Sequence, residues 1–476
     1  MESTSATATA EISTGSLRGT RDGGIERYLG IPNAEPPFGE RRFAAPEPVA
    51  AWTGVRDAVG FGATAPQHPY RGDIAELLSS TVIEGDDILT VNVWSPAERA
   101  AAGAPVVLWL HGGALERGAS AQPGYDGTTF ADDGVVFVSA NYRLGVEGFS
   151  VLEGAPLNLG LLDAALALEW VHCEIAAFGG DPARITIMGE SAGGALVAAL
   201  LSRPASRALV AGAIIQSGPL DAVSPDKARR ASDAIAKKLG IPATREAFAA
   251  VSPADLLQAR AELSAGSSPL KGAPGFTLAV DPDTLPVSPV DALADVDVPV
   301  LIGTNTDEYR LWFTPESIGE IGRLKAGLAR RVMRIPARAA TAVRDAFPGA
   351  SPGEVLGQLL TDRLLRAPAT RVARERRTST FVYEFAWHSP VRDLRAAHAI
   401  EIAFVFDHLG GADAVRLSGP DAPASLAHAM HAAWVSFITT GDPGWPAYDS
   451  DRTTRIWEEH PTDEPQRRSA VVDALG

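Results

Sequence analysis

One serine of this chain stands where it could act as a nucleophile: Ser191, in the stretch Gly189-Glu190-Ser191-Ala192-Gly193. The β-branched run 184–188 before it predicts a strand, and the apolar run 194–201 after it predicts a helix. A G-x-S-x-G turn between a strand and a helix strains the serine backbone and lifts its hydroxyl clear of the sheet edge. The two glycines let the strand and the helix pass closely enough for that turn. The motif therefore predicts that Ser191 attacks carbonyl groups.

The base that takes the serine proton should be a histidine that follows the nucleophile in the chain. A serine hydroxyl is a weak nucleophile until a base deprotonates it, and sites of this kind run in the order serine, acid, histidine. His398 comes in a loop beyond the predicted strand 380–385 and is the leading candidate. His388 follows the same strand and is the second. His428 and His431 lie in a predicted helix, and we interpret them as structural residues rather than metal ligands.

The acid that orients the histidine is predicted at the end of another strand. Asp307 and Glu308 follow the predicted strand 298–302 through a short turn. This position at the carboxyl end of a strand suits a residue that must reach the serine. Spacing alone does not choose between the two carboxylates.

A glycine-rich turn predicts the group that would stabilise the negative oxygen formed during acyl transfer. The predicted strand 106–110 ends in His111-Gly112-Gly113-Ala114. Such turns present backbone N–H donors to a tetrahedral intermediate. Together with the N–H of Ala192, the residue after the nucleophile, the turn would supply three donors.

The predicted strands and helices that must position these residues indicate an α/β fold. Six β-rich runs separated by helical patterns predict parallel strands with crossover helices. Three earlier runs without helices between them predict antiparallel strands at one edge of the sheet. The parallel runs are 106–110, 135–140, 185–188, 213–216, 298–302 and 380–385, and the antiparallel runs are 11–17, 25–29 and 88–94. We expect one domain over residues 1–476, with a helical insertion at about 315–376 whose arginines form a solvated face.

Composition limits the possible partners and the location. The 476 residues are 46% hydrophobic and 21% charged, which is ordinary for a protein with a large core. A net charge of −16 argues against nucleic acid or an anionic membrane as the main partner. Residues 1–10 lack the basic start and apolar centre of a secretory signal, and no apolar run is long enough to span a bilayer, so we expect a cytoplasmic location. The single cysteine, Cys173, excludes an intrachain disulfide and is predicted to be a buried or half-buried helix residue.

Taken together, these motifs resemble those of the type-B carboxylesterase family, which includes bacterial para-nitrobenzyl esterases and the cholinesterases. The matching segments follow one another along nearly the whole chain, so a chance match is very improbable. They are 28–32, 42–43 with 52–56, 92–94, 111–114, 141–145, 158–163, 177–182, 189–193, 216–218 and 440–443.

The resemblance implies an α/β-hydrolase fold, with a mixed, mostly parallel sheet, helices on both faces and helical insertions over the active site. It selects Glu308 over Asp307, because the family's acid is the glutamate of a G-x-x-x-D-E segment, here 303–308. It places the family's histidine on His398, ahead of Phe404-Val405-Phe406. The residues it implies are the catalytic Ser191, Glu308 and His398, the oxyanion donors Gly113, Ala114 and Ala192, and the supporting Ser217.

Two ion pairs of the family would correspond to Arg42 with Asp86 and to Arg143 with Asp163. We expect both to be features of the scaffold rather than of the site.

The chain departs from the family next to the oxyanion turn. Where the family usually has a phenylalanine, this chain has Leu115, followed by Glu116 and Arg117. We expect Glu116 and Arg117 to pair with each other in solvent. The alternative is that they make the mouth of the site more polar than is usual.

The sequence therefore predicts a serine hydrolase that cleaves small-molecule carboxylic esters and needs no metal or organic cofactor. The same acyl chemistry on a carbamate or amide bond is the first alternative. A non-catalytic binding protein on the same fold is the second. Neither the natural ester nor the oligomeric state can be read from the sequence.

Overall fold

A computed structural model describes residues 6–265 and 275–475. Within them, thirteen strands form a single mixed sheet. The strands are β1 (Ala6–Ile12), β2 (Gly15–Asp22), β3 (Ile25–Pro32), β4 (Val55–Asp57), β5 (Thr90–Pro96), β6 (Ala104–Leu110), β7 (Val136–Ala140), β8 (Gly180–Glu190), β9 (Gly212–Gln216), β10 (Val300–Asn305), β11 (Thr380–Phe385), β12 (Thr453–Trp457) and β13 (Thr462–Pro465).

Helices connect and cover these strands. They are α1 (Ile74–Leu77), α2 (Thr128–Asp132), α3 (Gly145–Phe149), α4 (Leu159–Glu174), α5 (Ala192–Leu201), α6 (Pro204–Arg207), α7 (Pro225–Leu239), α8 (Arg245–Ala249), α9 (Pro253–Ser264), α10 (Pro289–Ala292), α11 (Pro315–Gly319), α12 (Arg323–Val332), α13 (Ala337–Ala346), α14 (Pro352–Thr361), α15 (Ala367–Glu375), α16 (Glu401–Val405), α17 (Ala412–Ser418), α18 (Ala424–Thr440) and α19 (Ser469–Leu475). No helix within the described residues combines the length and the apolar character needed to cross a membrane.

The centre of the sheet is parallel, as predicted. The order β7-β6-β8-β9-β10-β11-β12 joins parallel neighbours, whereas β1, β2, β3 and β5 pair antiparallel at one edge. The predicted strand 11–17 was wrong, because residues 13 and 14 form a turn between β1 and β2. Strands β12 and β13 were not predicted.

Both faces of the sheet are covered, which explains the continuous apolar runs of its central strands. In β6, Val106, Leu108 and Leu110 pack into one hydrophobic cluster with α4 and α5. The alternate residues, Val107 and Trp109, pack into a second cluster with α16 and α18. Helices on both faces of a mostly parallel sheet confirm the predicted fold class.

The segment predicted as an insertion contains α11 to α15, with a π-helical turn at Asp362–Arg366. Helices α13 and α14 share a small separate core with α19. That residues 1–476 form one domain, with this segment inserted, stays our prediction. Cys173 lies in a helix as predicted, but its predicted burial was wrong, since its side chain is exposed.

Candidate active site

Ser191 occupies the sharp turn that its motif predicts. It lies between β8 and α5 with φ 55° and ψ −120°, a strained conformation for a residue with a side chain. Its N–H donates to the carbonyl of Gln216 at 2.8 Å. A Cβ on Gly193 would lie 1.9 Å from the carbonyl oxygen of Leu110, so only glycine allows α5 to pass so close to β6. The side chain of Ser191 is half-buried and lines a cavity of about 570 Å³.

Glu308 and His398 meet at the carboxyl ends of β10 and β11. Nδ1 of His398 lies 2.5 Å from Oε2 of Glu308, and both side chains are buried. The other carboxylate oxygen of Glu308 accepts hydrogen bonds from Ser217 Oγ and from the N–H of Asn305, each at 2.7 Å. These contacts hold the carboxylate in one orientation, and the carboxylate in turn fixes the imidazole.

His398 and Ser191 line the same cavity, but the structure contains no hydrogen bond between them. Nε2 of His398 makes no hydrogen bond to any of the described residues. Its close neighbour is Oε1 of Glu190 at 3.0 Å, an ion-pair distance with an alignment too poor for a hydrogen bond. Nε2 is therefore still available to accept a proton.

Three buried carboxylates surround the single imidazole. Burial lowers the pKa of His398, but the charges of Glu190 and Glu308 outweigh burial and raise that pKa well above its ordinary value. The third carboxylate, Glu401, accepts hydrogen bonds from Asn305 Nδ2 at 2.6 Å and Gln216 Nε2 at 3.2 Å. Burial, reinforced by Glu190 and Glu308, raises the pKa of Glu401 to about 8. The raised pKa favours the protonated form of Glu401, which limits the negative charge around the imidazole.

Asp307 and His388, the other acid and histidine that the sequence left open, do not line the cavity that contains Ser191. Nε2 of His388 is 3.8 Å from Oδ2 of Asp307, and the side chain of His388 is 61% exposed. Asp307 also contacts the guanidinium of Arg310 at 3.7 Å. The structure thus brings Glu308, and not Asp307, to His398. His428 and His431 contact Asp407 and the carbonyl of Val405, away from this site.

The predicted oxyanion turn lies beside the nucleophile. Gly113 and Ala114 line the cavity, and their backbones have positive φ angles of 117° and 57°. Ala192 is buried as the first residue of α5. Among the described residues, the N–H groups of Gly113, Ala114 and Ala192 donate to no other protein group, so all three are unused. A Cβ on Gly112 would lie 3.2 Å from the Cβ of Ser191, which shows how closely the turn approaches the serine.

The expected solvent pair between Glu116 and Arg117 was wrong. Glu116 instead pairs with Arg260 of α9 at 2.6 Å, and both side chains are largely buried. The guanidinium of Arg117 lies 5.5 Å from the centre of the Tyr70 ring. Both charged residues line the cavity, so the alternative of a polar mouth is the one the structure supports.

One family ion pair is present and the other is replaced. Arg143 pairs with Asp163 at 2.7 Å, with both side chains fully buried. Arg42 pairs with Glu147 at 2.5 Å rather than with Asp86. Arg42 is buried and needs a buried partner, which Glu147 is, whereas Asp86 is exposed.

Sequence reasoning missed three residues that shape the electrostatics of the site: Glu190, Asn305 and Glu401. Glu190 stands inside the nucleophile motif and Glu401 three residues after His398. Their positions next to predicted catalytic residues were the available signal. Asn305 also lies three residues before Glu308, but its contacts to Ala397 and Glu401 span about ninety residues of chain and could not be predicted from that position.

A mixed sheet with a serine at a strand–helix turn, and with an acid and a histidine after later strands, defines an α/β-hydrolase.

The profile of the Carboxylesterase family matches residues 6–470. The para-nitrobenzyl esterase of Bacillus subtilis (strain 168) is 37% identical, over 97% of this chain and 98% of that protein. The phenmedipham hydrolase of Pseudarthrobacter oxydans is 35% identical, over 93% of each chain. The solved structure of the Geobacillus stearothermophilus carboxylesterase EST55 superposes with a TM-score of 0.87 at 34% identity, covering 98% of this chain and all of that one. The chain belongs to the carboxylesterase family.

Proposed function

We propose that this carboxylic ester hydrolase cleaves small-molecule esters in two steps, through an acyl-enzyme formed on Ser191. In the first step, Oγ of Ser191 bonds to the carbonyl carbon of the ester while Nε2 of His398 takes the hydroxyl proton. Glu308, bound to Nδ1, fixes the tautomer that leaves Nε2 free to accept that proton. The N–H groups of Gly113, Ala114 and Ala192 stabilise the negative oxygen of the tetrahedral intermediate.

The intermediate collapses when His398 gives its proton to the leaving alcohol oxygen and the ester C–O bond breaks. A water molecule, deprotonated by the same imidazole, then attacks the acyl carbon. When the second intermediate collapses, the bond between Oγ of Ser191 and the acyl carbon breaks, His398 returns its proton to Oγ, and the carboxylic acid leaves.

The observation that carries this proposal is the state of the two imidazole nitrogens. Nδ1 is bound to Glu308 at 2.5 Å, and that carboxylate is itself held by Ser217 and Asn305. Nε2 has no hydrogen bond within the described residues and belongs to the same cavity as Ser191. Catalytic hydrogen bonds are often loose without substrate and tighten when it binds, so the missing bond to Ser191 does not count against the assignment.

Carbamates and amides would follow the same steps with a different leaving group. A non-catalytic protein on this fold would need no competent residue at these positions, and here each position holds one. A cytoplasmic location, and the absence of nucleic acid or membrane as a partner, remain predictions from composition and charge.

The replacement of Ser191 by Ala tests the proposal. We expect kcat for p-nitrophenyl acetate to fall by about 10⁴–10⁶-fold, because no nucleophile remains to form the acyl-enzyme. Circular dichroism and thermal unfolding should match those of the wild type. A Ser191→Ala protein that keeps more than about a tenth of the wild-type turnover, far above the loss expected for a missing nucleophile, would exclude the proposal.

A further inference from the structure

Arg117 has an unused guanidinium on the wall of the cavity that contains Ser191. Its side chain donates no hydrogen bond and forms no ion pair within the described residues. Its Nε is buried without a partner, and its one recorded side-chain contact is with the face of the Tyr70 ring. An arginine carries five N–H donors in a planar fork, and the terminal donors of Arg117, which unlike Nε are not buried, remain available to a ligand in the cavity.

Arg117 is half-buried, and two fully buried arginines of the described chain show how such groups are normally used. Arg143 binds Asp163 and the carbonyl of Ala44, and Arg310 binds Asp393 and Glu354. Those residues hold the scaffold together. The guanidinium of Arg117 contacts the Tyr70 ring, but its N–H donors bind no group of the scaffold within the described residues.

The backbone that carries Arg117 is fixed at both ends. Its N–H donates to the carbonyl of Gly113, whose own N–H is a proposed oxyanion donor. The next residue, Gly118, is bound on both sides of its peptide by the side-chain amide of Gln67, at 2.8 and 2.9 Å. The preceding residue, Glu116, is tied to Arg260. Arg117 is thus presented from a rigid loop a few residues from the reacting centre.

Three arginines and three carboxylates line the cavity, and within the described residues Arg260 is the one of these arginines that pairs with a carboxylate. Arg71 also lines the cavity, and it too has no hydrogen bond or ion pair from its side chain within the described residues. Burial, together with the charges of Arg71 and Arg117, lowers the pKa of His68 on the same wall. The carboxylates that line the cavity have other contacts: Glu116 with Arg260, Glu190 with His398, and Asp413 with the hydroxyl of Ser79. Arg71 and Arg117 are thus the cations of the lining whose charge is not matched by a contacting carboxylate within the described residues.

We propose that Arg117, assisted by Arg71, binds a carboxylate on the substrate, so that the enzyme prefers esters that carry a negative charge away from the scissile bond. A guanidinium binds a carboxylate through two parallel hydrogen bonds, which gives both affinity and orientation. This inference rests on the proposed function, since it names the class of ester that Ser191 would attack. Arg117 would act on specificity and take no part in the bond-breaking steps.

The test compares anionic and neutral esters of matched shape. One pair places the charge on the acyl side: mono-p-nitrophenyl adipate against p-nitrophenyl hexanoate. The other places it on the leaving group: para-acetoxybenzoate against its methyl ester. In Arg117→Gln we expect the ratio of kcat/KM for the anionic over the neutral ester to fall about 10- to 100-fold in at least one pair, because a charge-assisted hydrogen bond is lost. The pair that responds identifies the side of the substrate that Arg117 contacts.

The controls separate this inference from the proposed function. Arg323→Gln removes one positive charge from an exposed position on α12, outside the cavity lining, and should leave the ratio unchanged. Arg117→Lys keeps the charge without the fork and should keep part of the ratio. If Arg117→Gln lowers kcat/KM equally for both members of each pair, or changes neither ratio, Arg117 does not recognise a carboxylate. Turnover of the neutral esters would still report on Ser191, so failure of the inference leaves the proposed mechanism intact.

Discussion

Two parts of the same cavity are built in opposite ways. The cavity floor, made by Glu190, Ser191 and His398, rests on a network in which buried groups are bound to one another. The cavity wall, made by Tyr70, Arg71 and Arg117, carries cations that have no partner of opposite charge within the described residues. A network that holds the imidazole in one orientation suits chemistry, which needs fixed geometry, whereas unpaired cations suit recognition, because the missing partner can come from the substrate.

The comparison with relatives follows the same division. The motifs that form the floor match those of the carboxylesterase family, so its chemistry needs only what the family already supplies. The wall includes Glu116 and Arg117, where the chain departs from the family pattern described above. We therefore expect changes in the floor to affect all esters alike, and changes in the wall to discriminate between them.

The largest effect within this comparison should come from the acid of the floor. In Glu308→Gln the side chain keeps its shape but no longer favours the productive tautomer of His398 or stabilises its charged form, so kcat should fall about 10³–10⁴-fold for neutral and anionic esters alike. Asp307→Asn is the matched control, because Asp307 is the adjacent carboxylate and contacts His388 instead. Steady-state kinetics of the two variants would reverse the assignment if Asp307→Asn proved the more damaging.

The second effect concerns pH. The base must be neutral to accept a proton, so activity should rise as pH increases through the pKa of His398, which Glu190 and Glu308 raise. Glu190→Gln removes one of the charges that favour the protonated imidazole, and the acid limb of the profile of kcat/KM should move to lower pH. A pH profile with p-nitrophenyl acetate measures the shift.

The control for this pH profile must leave the charge of the network unchanged, which excludes Gln216→Glu. Ser436→Ala is suitable, because this half-buried hydroxyl on α18 bonds to the carbonyl of Asp442 and lies outside the cavity lining, and the variant should leave the profile in place. An acid limb that moves to higher pH in Glu190→Gln would contradict our account of the floor.

The smallest effect should come from Ser217. Its hydroxyl donates to Glu308 and does not line the cavity, so it acts through the orientation of that carboxylate. Ser217→Ala should lower kcat about 3- to 10-fold with KM unchanged, less than the full cost of a hydrogen bond to a charged group, because the N–H of Asn305 still holds the carboxylate. Ser217→Cys retains a weak S–H donor on a side chain of similar size and should recover part of the loss. Equal losses in both variants would point to packing rather than to the hydrogen bond.

The sequence predicted best where local pattern decides the structure. The central strands are buried on both faces, so they appear in the sequence as apolar, β-rich runs and could be predicted. Strand β12 mixes polar and apolar residues and was missed. The turn at Ser191 could be predicted because its motif lies within five residues and its strand and helix lie directly beside it.

The partner of Glu116 could not be predicted, because Arg260 is 144 residues away and only the packing of α9 against the loop brings the two side chains together. Arg42 found Glu147 instead of Asp86 for the same reason, since burial selects an ion-pair partner and sequence separation does not reveal it.

Covalent labelling tests the central claim most directly. A fluorophosphonate reacts only with a serine whose proton is removed by a working base and whose oxyanion is stabilised, so it reports on the whole floor at once. After incubation with the wild-type chain, peptide mass spectrometry should find one adduct, on Ser191, and none in Ser191→Ala. An unlabelled wild-type protein that is fully folded, or an adduct on another serine, would contradict the account.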